Sequence, residues 1–225
     1  MGKTIRYVAL SALLSAAGAA SANDDTMNIS GIEMSATSGT LELHRMTAKS
    51  AVLSDDSTRI VAGEMTFKAK AKKDMEMVAS APECVIVISG EHPPMVEPGS
   101  QMQLPGYDEA AKYADNFETA AFLGDMLLEG KGKGSQATAK MGDEGALFSD
   151  MIIWSERFRC LLLPKEFEQQ GTLAGGSVIT VTGAGLAVNR EFTEWLYYSG
   201  AEKPLAMNYT RSGVPAGDKK GTVKP

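Results

Sequence analysis

After residue 40 the sequence alternates apolar and polar residues with a period of two. A chain that keeps this period segment after segment can bury one face of a sheet but not one stripe of a helix. In Ile60 to Lys72 one parity holds Val61, Gly63, Met65, Phe67, Ala69 and Ala71. The other holds Glu64, Thr66, Lys68, Lys70 and Lys72. This pattern predicts a half-buried strand with a lysine-rich wet side.

Asp55-Asp56-Ser57-Thr58 reads as the turn before it, and Met75 to Ser89 as the next extended stretch, ending in Cys84-Val85-Ile86-Val87-Ile88. Gly90 to Gly106 carries Pro93, Pro94, Pro98 and Pro105, a density that neither helix nor sheet interior tolerates. The loop divides the chain into two β-rich parts. Tyr107, Ala111, Ala114 and Phe117 fit a helical stripe, so a short helix is expected within 107–121. Phe122 to Glu129 then reads as a strand, Gly130 to Gly134 as a hairpin turn, and Ser135 to Lys140 as the returning strand. Met151 to Trp154 and Phe158 to Leu163 flank a second hairpin at Ser155-Glu156-Arg157, closed by Pro164. Ser177 to Thr182 and Trp195 to Tyr198 give two more strands, with Gly183 and Gly185 marking a bulge or bend between them. The expected class is all-β: a predominantly antiparallel sandwich, jelly roll or barrel.

The N-terminus has the order of a secretory leader: Lys3 and Arg6, an uncharged run from Tyr7 to Ala20, then Ala20-Ser21-Ala22. Fourteen apolar residues are short of the roughly 20 needed to span hydrocarbon. The reading is a signal peptide over 1–22, cleavage after Ala22, a periplasmic domain over 23–211 and a disordered Gly-, Pro- and Lys-rich tail over 212–225. Loss of Lys3 and Arg6 leaves 20 basic against 28 acidic residues, a net charge of −8. That balance lacks the electrostatic footprint of a nucleic-acid binder.

Chemistry-bearing residues are sparse. The two histidines, His44 and His92, have no triad-like context, and no serine sits in a GxSxG elbow. Gly130 to Ser135 lacks the spacing of a phosphate loop. The 13 methionines are scattered, which suits adaptable apolar packing better than a copper site. Neither a metal nor a cofactor is expected. Cys84 and Cys160 allow either a disulfide in an oxidising compartment or two separate buried thiols.

Four segments in order carry a resemblance. They are Leu123-Gly124-Asp125-Met126-Leu127-Leu128, Thr138-Ala139-Lys140, Ile152-Ile153-Trp154-Ser155-Glu156 and Val181-Thr182-Gly183-Ala184-Gly185-Leu186. Together they resemble the OstA-type domains of the periplasmic bridge proteins in lipopolysaccharide export. The resemblance implies a twisted antiparallel β-jellyroll with an open apolar groove that shields acyl chains, and protomers joined at sheet edges to other β-jellyroll proteins. By parity the groove candidates are Val61, Met65, Phe67, Met126, Leu128, Ile152, Trp154 and Phe158, with Trp154 and Phe158 expected on one face. The function so read is non-enzymatic carriage of lipopolysaccharide or another lipid. The alternative is a periplasmic β-sandwich adaptor with a filled core and edge-strand partners, and a hydrolase using carboxylates stands third.

Overall fold

Three reversals turn the first extended segments into a meander of long strands, β1 (Met27–Ser38), β2 (Leu41–Leu53), β3 (Arg59–Lys72) and β4 (Met75–Val87). Each is antiparallel to the next. The computed structural model describes residues 27–38, 41–54, 58–72, 75–87, 104–117, 125–142, 145–155, 157–173, 176–190, 192–198 and 205–210. The leader over 1–22, most of the proline-rich loop and the tail over 212–225 lie outside them.

Beyond the loop come α1 (Tyr107–Asp115), β5 (Met126–Glu129), β6 (Ala137–Met141), β7 (Gly145–Ser149) and β8 (Met151–Ser155). β9 (Cys160–Thr172), β10 (Val178–Asn189), β11 (Trp195–Tyr197) and β12 (Ala206–Thr210) complete the chain. All twelve strands form one sheet, ordered β1-β2-β3-β4-β5-β8-β9-β10-β11, with β6 on β4, β7 on β6 and β9, and β12 on β10. The fold is therefore all-β and antiparallel, with a single short helix among the described residues. The loop after β4 does not separate two sheets, because β4 pairs with both β5 and β6.

A crease crosses the sheet. Buried residues repeat every two positions, but β2, β3 and β4 each have one interval of three: Ala48 to Ala51, Ala62 to Met65, Ala81 to Cys84. The intervening residues face one another across the strands. Gly31 lies opposite Lys49, Lys49 opposite Glu64, and Glu64 opposite Pro82, each between registered pairs. Gly31 (φ 76°), Glu64 (φ 48°) and, further along, Gly185 (φ 85°) adopt the left-handed conformation that turns a strand sharply. At the same level β9 and β10 shift register between Ala184 and Leu186. The sheet thus folds over on itself. Phe67 from below the crease meets Trp154 from above it at 4.9 Å between ring centroids, and Phe167 meets Tyr197 at 6.1 Å.

The crease corrects three expectations. β3 does not keep one parity: Ile60 and Ala62 are buried above Glu64, and Met65, Phe67 and Ala69 below it. Val61 consequently shares the other face with Val85 and is only half-buried. The glycine segment is not a hairpin turn. β5 and β6 do not pair; they lie one after the other along β4, and residues 130–136 loop out between them. β7 and β8 run alongside as a second interrupted strand, with the Gly130 amide donating to the Asp150 carbonyl at 3.0 Å. Finally, Pro164 does not close its strand. It sits inside β9 at the register shift, where a residue without an N–H costs no ladder bond.

Candidate functional site

Three places could carry function: the inner face, the outer face of the upper half, and the sheet edges. On the inner face, Met65, Phe67, Met126, Leu128, Ile152 and Trp154 belong to one buried cluster. Phe67 is 0% and Trp154 3% exposed, and their rings touch. The Arg190 guanidinium lies 4.8 Å from the Trp154 ring centroid, a cation–π contact on the same indole. These six groove candidates are brought together, and they pack on each other.

Val61 and Phe158 are placed elsewhere. Trp154 and Phe158 do not share a face, because the hairpin turns between Ser155 and Cys160 and leaves Phe158 in the turn itself. Phe158 packs edge-on against Tyr113 at 5.3 Å, in a second cluster on the opposite side of the sheet.

That second cluster explains why β8 and β9 read as continuous apolar runs. Leu127, Ile153, Leu162 and Ala187 point outward from the upper half-sheet and are covered by Ala110, Tyr113 and Phe117 of the helical segment. The helical segment packs through 110, 113, 114 and 117, so 114 and 117 of the expected stripe face the sheet, while Tyr107 stands at the margin against Tyr198 at 5.6 Å. Gly106 supplies no side-chain cap, but Asp108 and Glu109 in the first turn complement the helix dipole.

A buried carboxylate anchors this helix. Asp125 is 0% exposed and accepts hydrogen bonds from the Tyr113 hydroxyl, from Ser155 Oγ at 3.2 Å and from the Arg157 amide at 3.4 Å. Burial, reinforced by the Asp125 charge, holds the Tyr113 hydroxyl far above the usual tyrosine range. A second tie runs from the Tyr198 hydroxyl to the Pro105 carbonyl, and burial pushes Tyr198 up to about 12. The sequence reading missed Asp125 as a functional position. The signal was present: a lone acid in the apolar run Phe122 to Leu128 must find donors or be excluded from the core.

Cys84 and Cys160 are both free and buried, one in each cluster. Burial pushes both thiols up to about 12, so neither has the character of a nucleophile or metal ligand. Among the described residues no group of three or more His, Cys, Asp or Glu side chains could hold a metal ion, and no helix is long and apolar enough to cross a membrane.

The edges are different in kind. β1 pairs only with β2, and β12 only with β10, among the described residues. On β12 and just before it, Leu205, Met207 and Tyr209 are exposed at 40%, 72% and 58%. Met207 stands beside buried Val181, so it continues the inner apolar face out to the sheet margin. No protein-family model matches the chain, and no curated protein matches it.

Proposed function

We propose that the chain is a non-enzymatic periplasmic bridge component of lipopolysaccharide transport, joined to neighbouring β-proteins through the edges of its sheet. The observation that carries this reading is a pair of margins on one continuous sheet, β1 at one end and β12 at the other, to which no further described strand is paired. An unpaired strand edge is a template for an added strand, with backbone hydrogen bonds supplying affinity and alternate side chains specificity. The apolar side chains of Leu205, Met207 and Tyr209 give such a partner something to bury. The strand motifs resembling OstA-type domains supply the transport context.

One observation favours a second reading, the structural adaptor with a filled core. Phe67 and Trp154 meet each other across the inner space, which an acyl chain would have to part. Photocrosslinkers at Phe67 and Met207, in cells, separate the two. Transfer of label to lipopolysaccharide from position 67 supports the carrier. Label on proteins from position 207 with none on lipid from 67 supports the adaptor. Silence at both positions in a folded protein removes both.

A further inference from the structure

Below the crease no described helix covers the outer face, and six residues form a registered two-by-three grid on it. One row is Lys140, Ala146 and Gln170; the neighbouring row is Thr138, Phe148 and Glu168. Parity fixes their direction, because Ala137, Ala139, Leu147 and Phe167 between them are buried in the inner cluster. Alanine at the centre of the first row leaves a notch of about 160 Å³, walled by Lys140 and Gln170 and extended by Thr172 and Val178.

Each element of the grid has a definite chemistry. Phe148 is a half-buried ring on a wet face, a flat apolar surface beside polar neighbours. Gln170 is oriented by its amide, which donates to the Glu168 carboxylate at 2.6 Å and leaves that carboxamide oxygen as an acceptor. Thr138 shares a 2.9 Å hydrogen bond with Ser80 of the adjacent strand. Lys140 is exposed and makes no ion pair with a described residue. A shallow notch between Lys140 and Gln170, with a ring surface, a carboxylate and a hydroxyl in the row beside it, suits a ligand that is apolar on one face and hydroxylated at its rim. That ligand is a saccharide. The exposed ammonium at one end selects an anionic substituent as a compact point charge.

We propose that this grid is a binding site for an acidic saccharide, with a sugar ring on Phe148, its hydroxyls on Gln170, Glu168 and Thr138, and its carboxylate or phosphate toward Lys140. The site is on the opposite side of the sheet from the inner apolar cluster, so it holds for the carrier and the adaptor alike. Shallow, solvent-open sites of this kind bind weakly, and the charged contact is screened by salt.

The test is titration of the full chain with galacturonic acid oligomers and with neutral galactose oligomers, read by amide chemical shifts or calorimetry. The acidic oligomer should bind more tightly than the neutral one, and the difference should vanish at high salt. Phe148→Ala should weaken both by about tenfold. Lys140→Gln should weaken only the acidic oligomer, by about fivefold at low salt. Both positions face solvent, and circular dichroism checks that each variant is folded. Two further arms, deacylated lipopolysaccharide core and soluble peptidoglycan fragments, identify the source: binding of either supports the site. Failure of every saccharide to bind overturns the proposal. So does binding that survives both substitutions.

Discussion

The outer face of the sheet is two surfaces divided by one crease. Above it, Leu127, Ile153, Leu162 and Ala187 are sealed under a helix; below it, Thr66, Lys68, Ser80, Thr138 and Lys140 meet water. The long strands β3, β4, β9 and β10 pass through both. Burial of one face or of both is thus set by what lies over a strand, and the sequence changes character accordingly. Where a helix covers the outside, the alternation disappears into Ile152-Ile153-Trp154 and Leu161-Leu162-Leu163. Where no described element covers it, alternation is clean, as in Met65 to Lys70.

The most severe way to break the comparison is to make the same kind of truncation on each side. Leu162→Ala removes a fully buried side chain beneath the helix and should cost about 2–5 kcal/mol in urea unfolding. Thr66→Ala on the wet half should stay within about 0.5 kcal/mol. Equal losses at the two sites would show that the halves are not distinguished as described.

A somewhat smaller effect is expected from the helix anchor. Asp125→Asn keeps the volume but replaces a charged acceptor, and should cost about 1.5–3 kcal/mol. Hydrogen exchange should localise the loss: amides over 107–115 lose protection first, while β2 and β3 retain theirs. Uniform loss would mean that Asp125 supports the whole sheet rather than the helix.

Alkaline pH sharpens the contrast through the two thiols, both of which lie above the crease. Each has a folded pKa of about 12 against 9.0 when unprotected by structure. Because the folded values are raised, this contribution is fully present below pH 9. It falls by roughly 1.4 kcal/mol per pH unit for each thiol as pH rises from there toward 12. The measurement is urea stability between pH 8 and pH 11 in wild type and Cys160→Ser, the variant having the shallower decline. An identical slope in the two would locate the alkaline sensitivity elsewhere.

The smallest effect belongs to the crease surface. Lys49 and Glu64 form an ion pair with side chains 72% and 65% exposed. Lys49→Ala should change stability by no more than about 0.5 kcal/mol, the ordinary worth of an exposed pair. A large loss would make the pair part of what holds the bend.

Much of the fold was legible from residues alone. Apolar patterning identified β3, β4 and the hairpin at Ser155, and the short helix lies within the expected 107–121. The crease was not legible, because a three-residue interval in one strand resembles noise until neighbouring strands are aligned in register. Its signs, Gly31, Pro82 and Gly185, are scattered over the sequence and meet only in the sheet. Hence Val61 lies on the face opposite to the one its parity predicts, and residues 130–136 loop out instead of joining a hairpin. For the interior candidates, parity located Met65, Phe67, Met126, Leu128, Ile152 and Trp154 in one cluster, whereas Phe158 could not be placed without knowing that the hairpin needs four residues.

The crease also governs which length changes such a chain can survive. Deleting one residue at Glu64 would restore regular alternation to β3, yet it would turn Ile60 and Ala62 outward while Met65 and Phe67 stayed inside. Repair requires the opposite shift in the same strand, or matching shifts in both neighbours. The loop over 130–136 has no such coupling, because it leaves the sheet and returns beside its own point of departure, with Lys131 donating to Ser135 across its neck at 2.7 Å. Insertions over a lineage should therefore accumulate in that loop and avoid residues 49, 64 and 82, recording the fold line as a band of constant length across strands whose sequences drift.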